Sequence, residues 1–388
     1  MDTRSELPSW KLRGRTLLPV VQGGMGVGIS AHRLAGAVAA LGAVGTISSV
    51  ELRQHHPDLL EAGKGHRDKD LIDGHNLVAL DREIRAALAI SAGRGAVAVN
   101  VMKALGAHAG YVRQSCESGA HAIVMGAGLP LDLPELTREF PDVALIPILS
   151  ESRGVAIVLR KWMRKGRLPD AIVIEHPRFA GGHLGATRLA EVTDAKFDFA
   201  PVLEGIFATF DELGIARGTV PLVLAGGIHT HEQVRHLLGL GASAVQLGTP
   251  FAVCTEGDAH PEFKRVLAEA KPEDIVTFMS VAGLPARAVA TPWLRNYLSR
   301  EKALQSHAKA DPRRCVPGAQ CLTVCGLRDG IPTAGQFCIA TRLAHALHGD
   351  VKKGIFFRGS EPLPFGDAIR PVADLVAYLL HGSSPAPA

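Results

Sequence analysis

Short, unbroken apolar runs alternate along this chain with longer stretches in which apolar residues recur every three or four positions. The runs fall at 18–22, 43–47, 96–100, 122–125, 143–147, 171–174, 222–225 and 244–247. A run without polar residues in alternate places suits a strand buried on both faces, as in a parallel sheet covered by helices. Helical periodicity covers 31–41, 80–91, 110–118, 153–165, 203–213 and 230–238, with a shorter stretch at 134–140. Eight such units in succession predict an α/β fold, a (β/α)8 TIM barrel. A doubly wound open sheet is the alternative, because alternation alone does not show closure.

Two stretches break the rhythm. Residues 51–76 and 175–201 each follow a predicted strand and read as long loops, which in a barrel would stand over the C-terminal mouth. After Cys254 the repeat stops. The pattern therefore divides the chain into a barrel, 1–254, and a C-terminal, mainly helical cap, 255–388, with helices at 337–348 and 371–381. The tight-turn sequence at 281–287 has the character to reach back over the mouth.

Composition narrows the function classes. Apolar residues make up 47% of the 388 and charged residues 21%, and a net charge of +4 is spread too thinly for a nucleic-acid-binding face. The basic run at 160–167 is interleaved with Trp162 and Met163 and reads as a solvated helix face. Residues 34–50 carry no charge, yet Gly36, Gly42, Gly45, Ser48 and Ser49 make a buried helix and strand a better reading than a membrane span. Asp2 and Glu6 without an apolar leader, together with six cysteines, predict a cytoplasmic protein with reduced thiols. Four of these, Cys315, Cys321, Cys325 and Cys338, are clustered at a spacing unlike a paired-CxxC zinc site. Four thiols packed in the cap is the first reading, and an iron–sulfur or zinc site the alternative.

The chemistry lies in glycine loops. Gln22-Gly23-Gly24-Met25-Gly26-Val27-Gly28 lacks the register of a dinucleotide turn and suits a backbone passing beneath a flat ring, with Met25 as a soft contact. Gly226-Gly227 and Gly248-Thr249 follow strands seven and eight, where barrels frequently bind phosphate through backbone N–H groups. Flavin mononucleotide, a nucleotide or a sugar phosphate would each fit there. Asn100 and Gln246 end apolar strands with an amide able to meet a heteroaromatic edge, or to serve as a satisfied core group. His183, bracketed in Gly181-Gly182-His183-Leu184-Gly185, offers an imidazole for proton transfer or substrate contact. Glu175 and His176 begin the same loop and are candidates to contact a cofactor or orient His183.

In their order, Gly24-Met25, Asn100, Gly181-Gly182-His183, Gly226-Gly227-Ile228 and Gln246-Leu247-Gly248-Thr249 resemble the motifs of the nitronate monooxygenases, formerly 2-nitropropane dioxygenases. Their architecture is shared by FMN-dependent enoyl-acyl-carrier-protein reductases, and the resemblance covers roughly residues 15–290. It implies FMN across the mouth, with Gly227, Gly248 and Thr249 on its phosphate, Gln246 and Leu247 along the approach, and Gly226 among the cofactor-binding residues. Gly24, Met25 and Asn100 would meet the isoalloxazine, Gly181 would pass beside it, and Gly182 would also bind the cofactor. His183 is implied as the base that removes a substrate Cα proton or positions an anionic nitronate. The nitronate would pass electrons to FMN, and O2 would complete conversion to a carbonyl compound and nitrite. Residues 175–180 depart from the family pattern of an acid or amide followed by glycine, and Arg178 there would favour an anionic substrate.

Two other readings remain open at this level. One is an NAD(P)H-dependent flavin reductase of enoyl thioesters or quinones, since NAD(P)H stacked over FMN needs no dinucleotide fingerprint. The other is a non-catalytic flavin- or metal-binding module. The expected partners are a small-molecule substrate and O2 or NAD(P)H, with no nucleic acid and no membrane; a homodimer is compatible with the sequence.

Overall fold

The computed structural model describes residues 7–66, 68–315 and 322–383. Eight parallel strands close into a barrel: Val20–Gln22, Val44–Ser48, Ala96–Met102, Ala122–Gly126, Ala144–Leu149, Ile172–Glu175, Leu222–Ala225 and Ala244–Leu247. The last strand pairs with the first, Gln246 opposite Val21, so the sheet has no edge and the open-sheet alternative falls. Every apolar run became a strand because each is covered twice. Inside, Ala96, Ala98, Ala122, Ala144, Val173 and Ala244 fill a narrow interior. Outside, Val97, Val99, Ile123, Leu145, Ile172 and Val245 meet the helices.

The other end of the barrel is plugged. A hairpin, Trp10–Leu12 with Arg15–Leu17, sends Trp10, Leu12 and Leu17 into the interior cluster. Its polar groups hold the starts of strands: Trp10 Nε1 donates to Leu18 O, and Arg15 donates to Gly95 O. Between strands one and two only Val21 and Val44 stand in register. There the buried Gln22 side chain replaces the ladder, accepting from Thr46 N at 2.8 Å and donating to Thr46 O at 3.1 Å.

The predicted loop at 51–76 is structured. It holds a helical turn, Leu52–His55, the helix Pro57–Ala62, and the start of a long helix, Lys69–Ser91. Asp68 caps that helix by accepting from the N–H groups of Asp70 and Leu71. Apolar periodicity misses its first half because polar side chains do the packing: Asn76 is buried and accepts from Arg53 N, and further along Glu83 is buried against His32. The stretch at 134–140 is reduced to one turn, Leu133–Leu136.

Beyond the barrel, the cap contains the helices Pro261–Glu269, Pro292–Ser306 and Ile339–Leu347. It also contains an antiparallel sheet of Ile275–Met279, Pro285–Val289 and Phe356–Phe357. The first two helices begin at prolines, whose fixed φ and missing N–H suit a first helical position. A second core, including Phe263, Phe278, Leu294, Phe337 and Phe356, joins the cap to Val27, Ile29, Val50 and Leu105 of the barrel loops. The final helix, Val372–His381, behaves differently. Its Leu375, Val376, Leu379 and Leu380 belong to the barrel's outer core, where it packs against helices His231–Gly239 and His32–Ala40. Strand eight is followed only by the single turn Thr249–Ala252, so the C-terminal helix takes the eighth position of the outer ring. Among the described residues no helix is long and apolar enough to cross a membrane.

Candidate active site

The C-terminal ends of all eight strands open onto one cavity of about 310 Å3, and the cap closes over it. That size is sufficient for a cofactor or substrate of modest dimensions. Its wall includes Gly24, Met25, Asn100, Gly181, Gly182, His183, Gly226, Gly227, Gln246, Leu247, Gly248 and Thr249, all singled out from the sequence. Glu175 lines it as well, whereas His176 and Arg178 do not. His176 is turned into the protein, its Nε2 3.2 Å from Asp198 and its ring packed between Phe179 and Phe199. Arg178 donates to Thr193 O at 2.7 Å and lies beside Asp198.

Close approach explains the glycines of the rim. A Cβ on Gly24 would stand 2.3 Å from Asn100 Cβ, so the first loop lies directly against the carboxamide at the end of strand three. Gly227 adopts φ +76° with the Phe179 ring 2.8 Å from where its Cβ would be, which excludes a side chain on both counts. Gly181 has the backbone of Arg358 and Gly359 against it, at 2.6 Å from an added Cβ. The N–H groups of Gly226, Gly227, Gly248 and Thr249 have no backbone acceptor among the described residues. Unpaired donors gathered at one end of a cavity are a natural cradle for an anion. The Thr249 hydroxyl meanwhile accepts from Gly359 N at 3.0 Å and ties the cap to this corner.

The histidine loop is held by the cap. Gly182-His183 forms a two-residue strand paired with Pro285–Val289, His183 opposite Ala286, and Leu184 N donates to Pro285 O. Arg287 of the same cap strand is buried, and its guanidinium donates to the carbonyls of Pro177 and Ala180, bracing the loop from within. Ser280, fully buried in the turn that precedes that strand, lies with its hydroxyl 3.0 Å from His183 Nε2. No sequence signal marks Ser280; the turn sequence predicted only that the chain would double back there. The Phe357 ring packs beside the imidazole at 5.9 Å.

Burial sets the charge states. Protein surrounds the His183 ring, which keeps an opening to the cavity, and this desolvation pushes its pKa down to about 4. The same cause pushes the Glu175 carboxyl up to about 7. Near neutrality the histidine is therefore an uncharged acceptor. Glu361 is the other carboxyl on the wall, and no Lys or Arg among the described residues joins it. An anion bound here is held by backbone N–H groups rather than by a cationic side chain.

Cys315, Cys325 and Cys338 do not line this cavity. Cys325 is buried, Cys315 and Cys338 are partly exposed, and Cys321 falls outside the described residues. Among the described residues no three His, Cys, Asp or Glu side chains are grouped to hold a metal ion.

Comparison with known proteins gives a consistent answer. The model of the family "Nitronate monooxygenase" matches residues 11–382. A nitronate monooxygenase of Pseudomonas aeruginosa is 38% identical over 118 residues, 30% of this chain and 31% of that protein. A probable nitronate monooxygenase of Bacillus subtilis is 32% identical over 125 residues, 32% of this chain and 33% of its own length. The chain thus spans about a third of the length of these curated relatives. Among solved structures, FabK from Thermotoga maritima superposes with a TM-score of 0.62 at 21% identity, over 93% of this chain and 91% of that one. Nitroalkane oxidase from Streptomyces ansochromogenes gives 0.62 at 21%, over 93% and 94%. At that identity both likenesses concern the fold.

Proposed function

The chain belongs to the nitronate monooxygenase family, and on that premise we propose that it is an FMN-dependent enzyme oxidising alkyl nitronates with O2 to a carbonyl compound and nitrite. The phosphate would rest on the N–H groups of Gly227, Gly248 and Thr249, with Gly226, Gln246 and Leu247 lining the approach. The ring would lie against Gly24, Met25 and Asn100 and beside Gly181 and Gly182. Two features of this chain fit the group: the N–H donors without a backbone acceptor among the described residues, and the bare Gly24 backbone pressed to the Asn100 side chain. Bound FMN supplies a two-electron acceptor that O2 can reoxidise.

The protein's own part falls to His183. Held neutral by burial, it can accept the Cα proton of a nitroalkane or hydrogen-bond the oxygens of a nitronate. A substrate anion beside the ring favours its protonated form and offsets the low pKa. With Nε2–H donating to the Ser280 hydroxyl, Nδ1 is the ring nitrogen left to accept the proton. The cap over the mouth keeps bulk water from the reacting groups.

One observation carries the reading: donor-bearing loops after strands seven and eight share a single cavity with a neutral histidine. The test is anaerobic mixing of FMN-loaded protein with ethylnitronate, and separately with NADH or NADPH, while the flavin absorbance is followed. Bleaching by nitronate, then nitrite release on admitting O2, is expected. Bleaching by NAD(P)H alone would overturn the assignment in favour of a reductase.

A further inference from the structure

The cavity has a second lining that the cofactor residues do not account for. Its cap side includes Phe263, Ile339, Leu343, Ile355, Phe357 and Leu363, all apolar, with the Glu361 carboxyl at the edge beside Gly227. Ile339 and Leu343 lie four residues apart on helix Ile339–Leu347 and so share one face. Both are partly open rather than sealed in the core, although the helix also carries Arg342. Arg342 does not join this wall; its guanidinium sits 4.9 Å over the Trp293 ring in a separate pocket. Facing the cap wall from the barrel are Val50, Met102 and Leu105.

Charge points the same way. The two acidic side chains on the wall are Glu175 and Glu361, and no lysine or arginine among the described residues is present to pair with a substrate carboxylate. The cation that the sequence offered for an anionic substrate, Arg178, is engaged outside the cavity by Thr193 and Asp198. A second negative group on the substrate would be desolvated without a partner, which is strongly unfavourable.

We infer that the substrate carries an extended apolar, uncharged body that fills the cap side of the cavity, with Ile339 and Leu343 selecting it. The inference deepens the reading above and rests on it for the identity of the reacting group, but the body can be tested without turnover.

In the first arm, kcat/KM is measured for the nitronates of nitroethane, nitrobutane and nitrohexane, and for carboxylate-ended chains of matching length. A rise of about fourfold per added methylene is expected, along with a loss of at least about tenfold when the chain ends in a carboxylate. In the second arm, binding of unreactive n-alkanols of increasing length to the FMN-loaded protein is followed by perturbation of the flavin spectrum. The same rise with length is expected. In Leu343→Arg, checked for flavin retention, the preference between alkyl and carboxylate-ended chains should shift by about tenfold or more toward the carboxylate; Leu343→Ala should weaken long alkanols only. Affinity independent of chain length, or preference of the unaltered protein for the carboxylate, would overturn the inference. If no nitronate turns over while alkanol affinity climbs with length, the proposed reaction fails and the apolar-body inference stands.

Discussion

The barrel rim and the cap meet the same cavity with opposite materials. The rim presents mostly main chain, glycines after strands one, seven and eight and N–H groups without a backbone acceptor among the described residues, joined by the side-chain amides of Asn100 and Gln246. The cap presents side chains: apolar surfaces from Ile339, Leu343 and Phe357, a serine hydroxyl and a strand that docks the histidine loop. A surface of main chain is indifferent to side-chain substitution elsewhere and suits a ligand that stays constant. A surface of side chains can be retuned one residue at a time and suits the ligand that varies. His183 belongs to both, since it hangs from barrel strand six and is held by the cap.

The sharpest test of this division is His183→Ala. It should lower the second-order rate of flavin reduction by about 10²- to 10⁴-fold in stopped-flow absorbance while leaving FMN bound. Loss of FMN instead would mean that rim and cap are one unit. Next comes Gly24→Ala, which forces a methyl into the space of Asn100. FMN affinity, followed by fluorescence titration, should weaken by about tenfold or more, with chain-length preference unchanged. A changed preference would blur the division.

The smallest expected effect is on stability against pH. Glu175 keeps its proton in the folded chain up to about 7, against an ordinary value of 4.5. Its stabilising contribution is complete below 4.5 and is lost as pH rises through that window. His183 stays neutral in the folded chain down to about 4, whereas the unfolded chain takes up a proton near 6.5. Its contribution is therefore present above 6.5 and lost as pH falls. Between 4.5 and 6.5 the two slopes oppose each other. Glu175→Gln should unmask the histidine, so that Tm falls more steeply on acidification; an unchanged slope would remove Glu175 from the balance.

The barrel was legible because strands covered on both faces must be continuously apolar, and the rim because a backbone in contact with a ligand or neighbour must lack Cβ. The cap sheet was not. Ile275–Met279 and Pro285–Val289 are short and joined by a turn, and the second carries Arg287 in its middle. That arginine is paired with carbonyls of the histidine loop 110 and 107 residues away, which no local pattern reveals. Ser280 was invisible for the same reason: its importance comes from meeting His183 across 97 residues. The first half of the helix Lys69–Ser91 was hidden because Asn76 is buried there through a polar contact to Arg53 N instead of apolar period. His176 shows the converse, a plausible neighbour in sequence that the backbone turns away from the cavity.

The helix Val372–His381 carries a last consequence. Its apolar residues close a gap between the first and last helices that flank the strand cylinder, so those flanks stay uncovered until synthesis has passed Leu380. The outer ring is thus completed only by a segment that follows the whole cap in the chain, so removing residues from Val372 onward would leave apolar flanks of the barrel in water.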